Sequence, residues 1–166
     1  MSRVYLSLGS NLGDREKNIA QAIAILRERG VRVKRESSLY ETEPVAVHGG
    51  GWFLNGAVEA ETKLTPAELM QVLLETERGL GRERRAAAVP GLKESRTIDL
   101  DILLFGPGVI REPGVEIPHP RMAERKFVLA PLAEIAPNVK HPVLKKTIAE
   151  LLAESKDRSV VRKFHK

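Results

Sequence analysis

Val4, Leu6 and Leu8 alternate with Tyr5 and Ser7, which predicts a first strand. It runs into Gly9-Ser10-Asn11-Leu12-Gly13-Asp14, a turn whose last residue is a good helix N-cap. Ile19, Ala22, Ile23 and Leu26 then recur at the spacing of an amphipathic helix, which Gly30 ends. Residues 31–43 alternate again and predict a second strand. The loop His48-Gly49-Gly50-Gly51 separates it from a third strand near Trp52–Thr62. Thr65-Pro66-Ala67-Glu68 combines an N-cap, a proline at the first helical position and the Glu of a capping box. Leu69, Val72, Leu73, Thr76 and Leu80 form the buried stripe of the helix that follows.

Residues 82–95 carry charges, proline and glycine without periodicity and read as a mobile basic loop. Residues 96–105 then read as a strand. Period-2 geometry puts Ile98, Leu100, Ile102 and Leu104 on one face, expected in the core. Asp99 and Asp101 leave the other face together, about 6.5–7 Å apart at Cα. Beyond lie a short extended piece at Val115–Ile117, a helix from about Arg125 to Ile135, and a last helix near Thr147–Glu154. The order through residue 105 is β-α-β-β-α-β, the split βαβ of ferredoxin-like domains. The expected fold is α+β, one domain over residues 1–166 with an antiparallel sheet. Helices cover one face, and the C-terminal elements extend this core into an α/β/α sandwich.

With 166 residues, 42% hydrophobic and 30% charged, the chain has the composition of an ordinary soluble domain. No apolar run approaches the roughly 20 residues of a membrane span, and no secretory signal opens the sequence. The absence of cysteine excludes disulfides and thiolate metal sites and fits a cytoplasmic protein. A net charge of +5 suggests a polyanionic partner. Aromatics make up only 4% of the chain, too few for the stacking platform of a single-strand nucleic-acid binder. Small polyanions are the better match, with neither nucleic acid nor membrane as partner.

Alone, an Asp-x-Asp reads first as the solvated face of an ordinary strand. Two carboxylates side by side also repel unless a cation lies between them, and magnesium suits such a pair together with substrate phosphates. Arg82, Arg84, Arg85, Lys93 and Arg96 precede the pair closely. Arginines beside a carboxylate pair fit phosphoryl transfer, although each alone is equally a solubilising surface residue. His119, between Pro118 and Pro120, could donate to a phosphate or cap a turn. Phe53 and Asn55 share a strand face; a ring beside an amide suits a flat, nitrogen-rich heterocycle, and a core Phe with an edge Asn is the plainer alternative. The Gly9–Gly13 turn matches neither common phosphate-binding glycine pattern and reads as a tight turn.

Together, Leu8-Gly9-Ser10-Asn11-Leu12-Gly13, Tyr40-Glu41-Thr42-Glu43-Pro44, Phe53-Leu54-Asn55, Arg96-Thr97-Ile98-Asp99-Leu100-Asp101-Ile102, Ile117-Pro118-His119-Pro120-Arg121-Met122, Arg125 and Phe127-Val128-Leu129-Ala130-Pro131-Leu132 resemble one family. It is the 6-hydroxymethyl-7,8-dihydropterin pyrophosphokinases of folate biosynthesis. The resemblance implies transfer of pyrophosphate from ATP to the pterin hydroxymethyl group, releasing AMP. It implies two magnesium ions on Asp99 and Asp101, and a pterin site of Thr42, Pro44, Val45, Phe53, Asn55 and Phe127. Arg82 and Arg96 match arginines that stabilise the transferring phosphates, and Glu77, Ile102, His119 and Arg125 match ATP-site positions. The implied partners are small-molecule substrates, and a monomer is expected. Where family members often read Trp-Gly-Pro before the strand arginine, this chain reads Lys93-Glu94-Ser95. Phe53 stands where Tyr is also found. Gly114 and Pro120 occupy places where some members have polar ATP contacts. Two rival readings share the topology: an RNA-binding module, which would need aromatics exposed on the sheet, and a small-molecule-sensing domain, which gives no reason for the paired aspartates.

Overall fold

The computed structural model describes residues 1–43, 51–81 and 97–165. The basic loop expected at residues 82–95 lies outside them, as do Pro44, Val45 and Arg96. Strand β1 (Ser2–Ser10) leads through a turn into helix α1 (Arg15–Glu28). Asp14 caps the helix by accepting the Lys17 N–H at 3.1 Å. Gly13 adopts φ +65°, a left-handed angle that glycine reaches without a Cβ penalty. Asn18 Nδ2 ties the turn to the helix by donating to Leu12 O at 2.8 Å and Ser10 Oγ at 3.2 Å. The glycine-rich turn is thus held by its own chain.

The expected second strand divides into β2 (Val31–Glu36) and β3 (Tyr40–Thr42), both laid along β4 (Phe53–Thr62). At the break, Ser37 serves both polar groups of Ala57: its N–H donates to Ala57 O and its Oγ accepts the Ala57 N–H, each at 2.9 Å. One extra residue of chain passes at this point without leaving a backbone group of Ala57 unpaired. Helix α2 (Pro66–Gly79) begins with the full Thr65–Glu68 capping box, a motif worth about 1 kcal/mol. Strand β5 (Asp99–Phe105) follows, then a separate hairpin of β6 (Ile110–Glu112) and β7 (Val115–Ile117). A 3-10 turn at Met122–Glu124 leads into α3 (Lys126–Ile135); α4 (Ile148–Glu154) and β8 (Val161–Lys163) end the fold.

The main sheet runs β5-β1-β4-β3-β8, with β2 beside β4, and its pairings are antiparallel. This is the ferredoxin-like order with its outer strand broken in two and β8 added. Helices α1 and α2 pack on one face over Val4, Leu6, Leu8, Leu54 and Val58. Helices α3 and α4 cover part of the other face over Tyr5, Ala57, Leu103 and Leu104. The result is the expected α/β/α sandwich.

One expected side chain changes face. Leu104 belongs with Leu103 in the α3/α4 core, while Ile98, Leu100 and Ile102 face α1 and α2. The register explains the difference: Leu6 pairs with Ile102 but Tyr5 with Leu104, so Leu103 is an extra residue, a β-bulge. Such an insertion inverts the alternation of everything beyond it.

Candidate active site

Among the described residues, helices cover the second sheet face only at one end. At the other end, the strands that carry Tyr5, Ala57 and Leu104 to the α3/α4 core carry polar residues to a cleft. β1 supplies Ser7 and Gly9, β4 supplies Phe53 and Asn55, β3 supplies Thr42, and β5 supplies Asp99 and Asp101. Register aligns them, because Gly9 pairs with both Asp99 and Asn55, Ser7 with Asp101, and Thr42 with Phe53. The start of α3 closes one side with Arg125 and Phe127, and Glu43 and Ser159 complete the lining.

Asn55 and Thr42 are buried, and Asn55 Nδ2 donates to Thr42 Oγ1 at 2.8 Å. The Asn55 carboxamide lies hard against Gly9: a Cβ at that position would meet Asn55 Oδ1 at 2.8 Å. Gly9 is therefore glycine for space. The carboxamide is held on an edge where a planar ligand with ring nitrogens can be read.

On β5, Asp99 and Asp101 open into the cleft while the intervening Leu100 is buried behind them. Among the described residues β5 is an edge strand, and the Leu100 N–H turns away from β1 to donate to Glu77 Oε2 at 2.8 Å. Glu77 is itself buried on α2. The carboxylate-bearing strand is thus fixed from behind. His119 approaches from beyond β7, its N–H donating to Leu103 O at 3.0 Å. Its Nδ1 accepts the Arg121 N–H at 3.2 Å, which leaves the proton of the neutral ring on Nε2, 3.8 Å from Asp101 Oδ1. Burial, and then the Arg125 charge, push the His119 pKa below its ordinary value, against the opposing pull of Asp99. The Arg125 guanidinium lies 5.7 Å from the Phe127 ring centre at the cleft edge.

Of the residues expected from the sequence, Thr42, Phe53, Asn55, Asp99, Asp101, Arg125 and Phe127 line this cleft, and His119 stands beside Asp101. Glu77 and Ile102 are placed on the opposite side of β5, in the α1/α2 layer. Arg82, Arg96, Pro44 and Val45 lie outside the described residues. Ser7, Gly9, Glu43 and Ser159 also line the cleft and are not among the site residues expected from the sequence. Strand alternation from Gly9 points to Ser7, and Glu43 adjoins Thr42, but no sequence signal marks Ser159. Among the described residues no cluster of three His, Cys, Asp or Glu side chains could hold a metal on its own. Two aspartates opening into a cleft instead suit magnesium, a hard cation that keeps waters and binds substrate phosphates alongside one or two carboxylates.

Residues 5–137 match the family model described as 7,8-dihydro-6-hydroxymethylpterin-pyrophosphokinase (HPPK). The chain belongs to the HPPK family. It is 48% identical over 136 residues to the 2-amino-4-hydroxy-6-hydroxymethyldihydropteridine pyrophosphokinase of Bacillus subtilis, covering 81% of this chain and 78% of that one. The Aquifex aeolicus enzyme of the same name is 39% identical over 155 residues, covering 93% of each chain. HPPK relatives also include longer proteins: the chain spans 26% of an Arabidopsis thaliana folate synthesis bifunctional protein, at 44% identity over 133 residues, 80% of this chain. Among solved structures, HPPK-DHPS of Plasmodium falciparum (wild type, with SDX-DHP) shares the fold with a TM-score of 0.72 at 17% identity, covering 92% of this chain and 44% of that one. Among the described residues no helix is long and apolar enough to cross a membrane.

Proposed function

We propose that this cleft transfers pyrophosphate from ATP to 6-hydroxymethyl-7,8-dihydropterin. The observation that carries the reading is that one cleft joins a buried Asn55–Thr42 pair, two aromatic rings and two carboxylates. Asn55 and Thr42 read the pterin edge, Phe53 and Phe127 stack on its faces, and Pro44 and Val45 contribute from the adjoining loop. Asp99 and Asp101 would hold two magnesium ions, which when bound would screen and polarise the phosphate oxygens. Arg82 and Arg96 neutralise the charge that develops on the transferring group, and Arg125 and His119 bind ATP phosphates. Glu77 and Ile102 serve the ATP side through the frame of β5.

The pterin hydroxyl oxygen forms a bond to the β-phosphorus of ATP. The bond from that phosphorus to the α,β-bridging oxygen breaks, AMP departs with that oxygen, and the hydroxyl proton passes to solvent. One chain supplies every residue in this account, so a single pyrophosphokinase domain acting as a monomer suffices. Both substrates are soluble metabolites, which is compatible with an enzyme of the cytoplasm.

Incubation with ATP, magnesium and 6-hydroxymethyl-7,8-dihydropterin, followed by identification of the nucleotide product, tests the proposal. AMP with diphosphorylated pterin is expected. ADP would indicate an ordinary kinase, and no product would overturn the reading. Salt-dependent RNA binding without ATP turnover would favour the RNA-binding rival.

A further inference from the structure

The family match ends at residue 137, yet the chain returns to the cleft at Ser159. Two anchors hold this returning segment. On one side it pairs with Glu43, next to Thr42: the Glu43 N–H donates to Val160 O at 3.3 Å, and Glu43 Oε1 accepts the Val160 N–H at 2.9 Å. On the other side stands Asp157. Its Oδ2 accepts the Lys126 N–H at 2.9 Å, and its Oδ1 accepts the Ser159 N–H at 2.8 Å and the Ser159 hydroxyl at 2.6 Å.

Lys126 is the first residue of α3, whose next residue is Phe127, and the N-cap Arg125 makes no side-chain capping bond. Asp157 therefore caps this helix from a distant part of the chain, placing a carboxylate at its positive end. Burial pushes the Asp157 carboxyl up, but the hydrogen bonds from Ser159 and Lys126 outweigh it and hold it below its ordinary value. Arg125, Phe127 and Ser159 line both the cleft and an adjoining open hollow bounded by Leu151 and Lys156. Beside that hollow, the wall depends on hydrogen bonds at its root as well as on packing.

We propose that Asp157 is a positioning residue for the pterin, fixing Phe127 and Ser159 as one wall of the cleft by joining them through its two carboxylate oxygens. The Glu43–Val160 clamp ties that wall to the neighbouring strand β3, which carries Thr42. This inference rests on the reading of the cleft as a pterin site.

The test is Asp157→Asn, which keeps the shape but turns one acceptor oxygen into a donor. Ser159→Ala, which removes a single hydroxyl, is the milder companion. Calorimetry would measure 6-hydroxymethylpterin binding with a non-hydrolysable ATP analogue and magnesium saturating, and separately the affinity for the analogue itself. We expect pterin affinity to fall about tenfold in Asp157→Asn and about threefold in Ser159→Ala, with analogue affinity within about twofold of wild type. Unchanged pterin affinity in Asp157→Asn would overturn the inference, as would equal losses for both ligands, the mark of general structural damage. If Asp157→Asn fails to fold, Ser159→Ala decides by the same two affinities. Absence of pterin binding by the wild type would instead sink the pterin reading and this inference with it.

Discussion

Replacing Gly9 by alanine tests how Asn55 is held to read the edge of the proposed pterin ligand. Gly9 sits in the extended backbone of β1, so alanine meets no conformational obstacle, only the carboxamide of Asn55. The new Cβ would stand 2.8 Å from Asn55 Oδ1, whereas ordinary contact begins at 3.4 Å. The carboxamide must retreat by about 0.6 Å. If that shift falls along the 2.8 Å bond to Thr42, the bond lengthens to about 3.4 Å, beyond the usual range of about 2.7–3.2 Å. Such a bond is worth about 1 kcal/mol, and the displaced amide also loses its aim at the ligand. Pterin affinity should therefore fall about tenfold, with little change for ATP. Calorimetry with a saturating ATP analogue measures this, and a double-mutant cycle isolates the cause. In an Asn55→Ala background Oδ1 is gone, and Gly9→Ala should then cost less than about twofold. Wild-type affinity in the single variant, or the same loss in both backgrounds, would refute the reasoning.

Asp99→Asn and Asp101→Asn should each lower kcat by at least about a thousandfold while leaving thermal unfolding near wild type, and near-normal turnover in either would remove the pair from the metal site. His141 is buried, and its Nδ1 accepts the Val143 and Leu144 N–H groups at 3.2 and 3.1 Å, which protonation of that nitrogen would forbid. Burial holds its pKa below the ordinary histidine value, so the unfolded chain takes up the proton first as pH falls. Its contribution is complete above about pH 6.5 and is lost on acidification through the folded pKa. The denaturant midpoint should therefore drop between pH 7 and 5 less steeply in His141→Asn than in wild type, and equal slopes would exclude His141 as a cause. The only two tyrosines are Tyr5 and Tyr40. Burial and a hydrogen bond to Glu59 push Tyr5 up to about 12, and burial with a bond to Glu134 raises Tyr40. An ultraviolet titration of the folded protein should show no tyrosinate below about pH 11, and a transition near pH 10 would contradict the burial of one ring.

The elements with strong local chemistry are legible in the sequence. Asp14 and the Thr65–Glu68 box mark helix starts because capping is decided within a few residues. The aspartate pair is legible for a similar reason: strand alternation needs no knowledge of the neighbours. The bulge at Leu103 is hidden, because Ile102-Leu103-Leu104 is apolar throughout and period-2 reading cannot tell a strand that serves one core from one that serves two. The split of the second strand is equally obscure, since what separates β2 from β3 is a bond between Ser37 and the distant Ala57. β8 has only three residues and no pattern of its own, so the arrival of Ser159 at the cleft is purely tertiary.

β1 is bonded on both sides, by β4 and by β5, and it carries Gly9 at the centre of the cleft. Backbone amides of such a strand exchange with solvent only when the domain itself opens, whereas those of edge strands exchange through smaller fluctuations. On the proposed reading, the pterin edge is recognised from the part of the fold expected to exchange most slowly. Ligand binding should leave the exchange rates at Leu6 and Leu8 governed by global stability alone, and the selectivity of the site should persist under conditions that loosen its periphery.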